Sequence, residues 1–170
     1  MTTMTRSRLA LLQTKNDLPE RTRSALADIL NRRLADAIDL QLQAKQAHWN
    51  VRGPSFIALH ELFDKVVEHA AGSADLLAER VAQLGGTAVG TIRFVAETTE
   101  LEEYPLDKVS GADHVAALAG ALASFGAVIR RAIEEAMELG DAATADLFTE
   151  ITRGNDKLLW FVEAHGHASS

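Results

Sequence analysis

Side chains that bind metal ions recur at helical spacing between His60 and Glu79. His60 and Asp64 are four residues apart, and so are Asp75 and Glu79. Residues four apart lie on one face of an α-helix, so each pair can direct its side chains to one point. Imidazole and carboxylate without thiolate suit iron or manganese, with zinc and copper as competitors. The spacing therefore predicts two halves of a transition-metal site.

The two pairs cannot hold one ion within a single chain. Their centres are about 15 residues apart, which is about 22 Å along a helix axis. An antiparallel copy of the same helix from a second subunit would bring the first pair of one chain opposite the second pair of the other. The two-fold axis would pass near residues 69 and 70, beside the small residues Ala71 and Gly72. We therefore expect two equivalent sites per dimer, each shared between subunits.

His48 is a further candidate ligand. The Gly53-Pro54 turn that follows it would bring the next helix, which carries His60, alongside the helix that carries His48. Two other interpretations stay open on spacing alone. An acidic stripe, which here also includes Glu61 and Glu68, is typical of an ordinary solvated helix face. A single histidine near an apolar helix end is equally typical of a structural residue.

Four long helices are predicted to position these side chains. Prolines and glycines divide the chain, and apolar residues repeat at three- and four-residue spacing between them. The predicted helices cover residues 20–50, 56–84, 112–139 and 143–165. A long connection over residues 87–110, with one small helix, would let helices two and three run parallel. This pattern predicts an all-α, ferritin-like four-helix bundle with a short extra helix in the connection between helices two and three.

The composition excludes several classes of protein. The chain has 170 residues, no cysteine and a formal net charge of −7. The lack of cysteine excludes a disulfide framework and thiolate metal sites, and the acidic balance disfavours a uniformly basic nucleic-acid binder. We find neither a signal-peptide core nor a membrane-length apolar run and expect a cytoplasmic protein. We assign residues 1–18 to a flexible basic tail, 19–166 to the bundle and 167–170 to a C-terminal fray.

The segment Lys45-Gln-Ala-His48-Trp49-Asn-Val-Arg-Gly53-Pro54, with the four ligand candidates after it, resembles the Dps mini-ferritins. The family spacing H-x11-H-x3-D-x10-D-x3-E is matched at every step. The resemblance extends over essentially the whole chain, including the ending from Leu158 to His165. The Glu-x-x-His pairs of large ferritins are absent from this sequence, which favours a site between subunits.

The resemblance implies a ferroxidase. It implies a homododecamer built from two-fold dimers, with two iron ions per inter-subunit site, that oxidises Fe(II) with hydrogen peroxide. The ferric product is stored as a mineral, which protects DNA from oxidative damage. The implied iron ligands are His48, His60 and Asp64 of one chain with Asp75 and Glu79 of the other. Lys45 and Trp49 match residues that flank the site.

Further acidic residues could handle iron away from this site. Asp141, Asp146 and Glu150 open the fourth helix, where three copies could line an acidic entry pore at a three-fold axis. Acidic residues are also common at helix starts for purely local reasons. Glu61 and Glu68 are candidates for mineral nucleation, or members of a solvated face.

The termini raise the question of DNA. Residues 1–16 carry Arg6, Arg8 and Lys15 and no acidic residue. Twelve such tails could bind phosphates together, although three charges are few. A DNA-compacting, nucleoid-associated structural dodecamer with weak metal chemistry is therefore the alternative function. At the other end, His165 and His167 could bind metal or have no role.

Overall fold

Five helices account for most of residues 10–166, the part of the chain that the computed structural model describes. They are α1 (Glu20–Asn50), α2 (Phe56–Gln83), α3 (Ile92–Thr98), α4 (Gly111–Glu138) and α5 (Ala142–Glu163). The described residues contain no strand. The predicted all-α bundle is confirmed, with α3 as the small helix in the long connection.

The helices end where the local chemistry favours a break. Gly85 and Gly140, which follow α2 and α4, have φ angles of 81° and 79°, a region that glycine enters without steric cost. At the start of α4, the Ser110 side chain accepts a hydrogen bond from the Asp113 backbone N–H, and the Asp113 carboxylate accepts one from the Ser110 backbone N–H, which forms a capping box. These residues end α2 and α4 and begin α4 at the observed positions.

The core lies between two helix pairs, α1 with α2 and α4 with α5. Its largest fully buried side chains include Phe63, Phe125 and Phe148, one from each of α2, α4 and α5. From α1, Leu26, Leu30 and Leu40 are fully buried. Apolar burial of this extent is the main source of stability, at about 25 cal/mol per Å².

A buried ion pair fastens the long connection to α1. Arg33 Nε lies 2.8 Å from Asp36 Oδ2, and Arg33 also pairs with Glu100 just beyond α3. The Asp36 carboxylate accepts the Glu100 backbone N–H at 2.7 Å. Burial raises the pKa of Asp36, and the charge of Arg33 opposes that shift. These contacts hold α3 and the connection against the middle of α1.

One helix combines length with high hydropathy. α4 contains an 18-residue window of mean hydropathy 1.5, long and apolar enough to cross a membrane by those criteria alone. In the fold, 44% of that window is buried, and α4 packs against α5 and α1. The apolar character of α4 is accounted for by its position in the bundle core.

An extended segment before α1 lies against the end of α2. The Leu12 N–H donates to the Gly85 carbonyl at 2.7 Å, and Arg23 donates to the Leu84 carbonyl at 2.9 Å. Lys15 is exposed. The predicted flexible tail over residues 1–18 therefore includes a stretch that is hydrogen-bonded to the bundle. Arg6 and Arg8 lie outside the described residues. The predicted fray at 167–170 also lies outside them.

Candidate metal centre

His48 and His60 face each other where α1 ends and α2 begins. Their rings are stacked, with centroids 3.6 Å apart and planes inclined by 24°. Gly53, with a φ of 114°, makes the turn between the two helices, and a side chain would be strained there. The turn therefore brings together two histidines that are twelve residues apart in the chain.

Each of these histidines hydrogen-bonds to the backbone of the other. His48 Nδ1 lies 2.8 Å from the His60 carbonyl oxygen, and His60 Nδ1 lies 2.9 Å from the His48 carbonyl oxygen. A carbonyl oxygen only accepts, so both Nδ1 atoms carry the proton. A neutral histidine with its proton on Nδ1 has a bare Nε2 lone pair, the form in which histidine binds metal.

Asp64 contributes a carboxylate to the same place. Its Oδ1 lies 3.8 Å from His48 Nδ1 and 2.5 Å from Lys45 Nζ. The hydrogen bond from Lys45 is the main reason that the pKa of Asp64 is lowered, against a weaker opposing effect of burial. The carboxylate is thus ionised and faces a lysine that competes with any bound cation.

An aromatic side chain covers part of the His60 ring. The Phe56 ring centroid lies 5.1 Å from that of His60, with the planes tilted by 37°. Phe56 was not among the predicted site residues, although its place one helical turn before His60 was a usable signal. Trp49, predicted to flank the site, is 66% exposed.

Asp75 and Glu79 lie farther along α2 and are both exposed. Among the described residues, no three histidine or acidic side chains of the single chain form a group that could hold a metal ion. The structure thus brings His48, His60 and Asp64 together and leaves the other two predicted ligands elsewhere on α2. The shared ligand set stays a prediction.

The predicted pore residues differ in their surroundings. Asp141 is only 4% exposed, and its carboxylate caps α5 by accepting the backbone N–H groups of Ala143 and Thr144. It also lies 2.9 Å from Arg80 Nη2. Burial acts to raise the pKa of Asp141, but hydrogen bonds from Thr144 and Arg80 outweigh it, and the pKa is lowered.

Asp141 therefore has its charge balanced inside the fold, which supports the local helix-start interpretation of this residue. Asp146 and Glu150 are exposed and free to face a pore. Glu61 and Glu68, the nucleation candidates, are exposed on α2. His165 is exposed and its Nδ1 lies 2.9 Å from the Phe161 carbonyl; His167 lies outside the described residues. The pore, nucleation and metal-binding roles of these side chains stay predictions.

The chain is similar to known proteins over most of its length. Residues 27–167 match the family described as Ferritin-like domain. A protein of Agrobacterium fabrum named DNA protection during starvation protein is 49% identical over 153 residues, covering 90% of this chain and 94% of that protein.

Solved structures agree with this result. DpsA14 from Streptomyces coelicolor has a TM-score of 0.89 at 34% identity, covering 96% of each chain. Dps from Microbacterium arborescens in the high iron form has a TM-score of 0.81 at 34% identity, covering 91% of this chain and 98% of the other. Both likenesses extend over nearly the whole of this chain.

Proposed function

The chain belongs to the Dps proteins of the ferritin-like family, and on that premise we propose that it is a ferroxidase that stores iron. Fe(II) is the substrate, hydrogen peroxide the oxidant, and a ferric mineral inside a homododecameric shell the product. The observation that carries the proposal is the pair of Nδ1–H···O=C bonds between His48 and His60. They fix the orientation of both rings and leave Nε2 without these bonds, as the hydrogen-bond partner of a metal-binding histidine does.

The ligand set is completed by a second subunit in this proposal. Two-fold symmetry would bring Asp75 and Glu79 of a partner chain to the histidines and Asp64, where imidazole and carboxylate suit iron. Both partner-side residues are exposed in the single chain, and so are available to a neighbour. Two iron ions held together can pass two electrons to one peroxide, so that no hydroxyl radical leaves the site.

Other parts of the chain supply and receive iron in this scheme. The exposed carboxylates of Asp146 and Glu150 would attract Fe(II) at a three-fold pore through the focusing effect of like charges. Glu61 and Glu68 would bind ferric ions where the mineral begins. Iron as the metal is supported by the likeness to Dps from Microbacterium arborescens, a protein solved in a high iron form.

Complementation between two inactive variants tests the shared site. His60→Ala and Asp75→Ala chains should each oxidise Fe(II) poorly with peroxide, measured by stopped-flow absorbance after anaerobic loading. In a mixed dimer, one of the two sites receives both mutations and the other receives neither. Mixed assemblies should therefore regain about a quarter of the wild-type sites if subunits pair at random.

The control is a mixture of His60→Ala with His48→Ala, which lie in the same half of the site. Every site in that mixture carries at least one mutation, so activity should stay low. Recovery in this control, or none in the first mixture, would reject the shared site. Iron storage is tested separately: after repeated additions of Fe(II) and peroxide, electron microscopy should show an electron-dense mineral core.

DNA binding in the cytoplasm is a second candidate function. It is supported by the name of the similar Agrobacterium protein, DNA protection during starvation protein, and by exposed Lys15 in the segment before α1. Counterion release predicts that a gel shift by the assembled protein should weaken steeply with salt. Absence of a shift at low salt, or an unchanged shift after Arg6, Arg8 and Lys15 are replaced by glutamine, would rule out the tail as the binding element.

A further inference from the structure

Tyr104 and His114 form a buried hydrogen bond that the proposed iron chemistry does not yet use. The Tyr104 hydroxyl lies 2.7 Å from His114 Nδ1. Tyr104 is 7% exposed and His114 is 1% exposed. The two rings are almost parallel, inclined by 13° with centroids 6.2 Å apart, so the phenol meets the imidazole at its edge.

The protonation of both groups suits transfer of a proton from the phenol to the imidazole. Burial raises the pKa of Tyr104 to about 12, so the phenol keeps its proton at neutral pH. Burial also lowers the pKa of His114, against opposing effects of Asp113 and the Asn50 carbonyl. A neutral imidazole can accept a proton at Nδ1 while Nε2 carries its own.

The pair lies near the chain segments that carry His48 and His60. The Asn50 carbonyl that acts on His114 belongs to the last residue of α1, two residues and about 3 Å of helix rise beyond His48. On the other side, a Cβ added at Gly111 would come 2.8 Å from Leu59 Cδ1, so the first turn of α4 packs against the residue before His60. The surroundings of the pair thus include the end of the segment that carries His48 and the start of the segment that carries His60.

We propose that Tyr104 is an electron donor to the iron site and that His114 is the base that takes its proton. This inference rests on the proposed function. The donor acts when peroxide meets a site that holds one Fe(II) instead of two. Fe(II) alone supplies one electron, and Tyr104 supplies the second.

The electrons and protons balance in each step. One Fe(II) and one peroxide give Fe(III), hydroxide and a hydroxyl radical. An electron from Tyr104 reduces that radical to hydroxide, while the phenol O–H bond breaks and an N–H bond forms at His114 Nδ1. The next Fe(II) returns an electron to the tyrosyl radical, and the proton moves back from His114. The sum is two Fe(II) and one peroxide giving two Fe(III) and two hydroxides.

A freeze-quench electron paramagnetic resonance experiment can identify the donor, because the chain contains a single tyrosine. Assembled protein is loaded anaerobically with one Fe(II) per site and mixed with peroxide. A tyrosyl radical signal is expected, and ring-deuterated tyrosine should narrow it. Tyr104→Phe should abolish the signal while keeping the fold and the metal ligands.

His114→Gln separates proton transfer from packing. The glutamine amide oxygen can accept the hydrogen bond from Tyr104 but cannot take its proton. The radical signal should be lost or greatly reduced, although thermal unfolding shows a folded, assembled protein. In Tyr104→Phe, repeated turnover should instead oxidise exposed Trp49 beside the site, as measured by peptide mass spectrometry.

Two results would overturn the inference without affecting the proposed function. One is normal iron oxidation with no tyrosyl signal in the wild-type protein, or with a radical on tryptophan only. The other is an unchanged signal in His114→Gln, which would remove the histidine from the step. Absence of iron oxidation at two Fe(II) per site would instead contradict the proposed function and the donor together.

Discussion

His48 and His60 orient each other, because each ring donates from Nδ1 to the backbone carbonyl of the other residue at 2.8 and 2.9 Å. The arrangement makes each histidine both a candidate ligand and the support of its neighbour. The His48 side chain is 12% exposed, so its ring has little freedom to find another partner. A change at either residue should therefore disturb both.

His48→Ala should lower Fe(II) or Co(II) affinity more than the loss of one ligand alone, because it also frees the His60 ring. Loss of an orienting partner typically costs 10- to 100-fold in metal affinity, and we expect a total loss of about 100-fold or more. This loss of affinity is measured by an anaerobic Co(II) titration that is monitored by absorbance. Lys65→Gln, which changes an exposed residue of α2 that is not a candidate ligand, is the control and should leave the affinity unchanged.

The metal affinity of the double variant tests whether the two histidines depend on each other. If they support each other, the double variant should lose less affinity than the sum of the two single losses, expressed as free energies. Strict additivity would mean that the two hydrogen bonds do not orient the rings.

Lys45→Gln should strengthen metal binding. The ammonium of Lys45 lies 2.5 Å from Asp64 Oδ1 and competes with a cation for that carboxylate. Because Asp64 is 43% exposed and its charge is screened, the gain should be modest, about two- to fivefold in affinity. The same Co(II) titration measures it, and Lys65→Gln, an exposed lysine on α2, serves as the matched control. Weaker binding in Lys45→Gln would show that the lysine supports the site instead.

Much of the fold could be predicted from the sequence because helices depend on local spacing. Leu26, Leu30 and Leu34 recur on one face of α1, and the Gly53-Pro54 turn ends that helix, so its bounds at Glu20–Asn50 agree with the prediction. The closeness of His48 and His60 follows from the same turn. Their reciprocal hydrogen bonds depend on side-chain rotamers, which no spacing rule specifies.

The ion pair of Asp141 was not predictable from the sequence because its partner is distant in the chain. Arg80 is 61 residues away, on the last turn of α2, and no local pattern pairs them. A usable signal for the cap was present, since an aspartate directly before a predicted helix is a common N-cap. The acidic residues at the start of α5 therefore differ in burial: Asp141 is buried, whereas Asp146 is exposed.

Asp141→Asn should destabilise the fold, because asparagine can still cap α5 but leaves the Arg80 charge without its partner. The Arg80 side chain is 14% exposed, so we expect a loss of about 3 kcal/mol in the free energy of unfolding, measured by urea denaturation. Asp146→Asn, at an exposed position on α5, should change it by less than about 0.5 kcal/mol. Equal effects of the two substitutions would contradict the enclosed ion pair.

The same pair predicts a pH dependence. The pKa of Asp141 in the folded chain is lowered from its ordinary value of 3.8. A carboxyl of this kind contributes stability above its unfolded pKa and loses that contribution as the pH falls through the folded pKa. The difference in unfolding free energy between wild type and Asp141→Asn should therefore shrink below pH 3.8. A difference that stays constant into strong acid would assign the effect to something other than this ionisation.

Gly154→Ala should destabilise the packing of α2 against α5. A Cβ at this position would collide with the His69 ring, lying 2.9 Å from its Nδ1 atom. Overpacking of this kind usually costs about 1–3 kcal/mol in the free energy of unfolding. Gly120→Ala is the matched control, because a Cβ there meets nothing within 4 Å and alanine favours the helix. In urea denaturation the first variant should lose stability and the control should gain about 0.5–1 kcal/mol. A second change, His69→Ala, should make Gly154→Ala harmless if the ring is the obstacle, whereas an undiminished loss would place the strain elsewhere in α5.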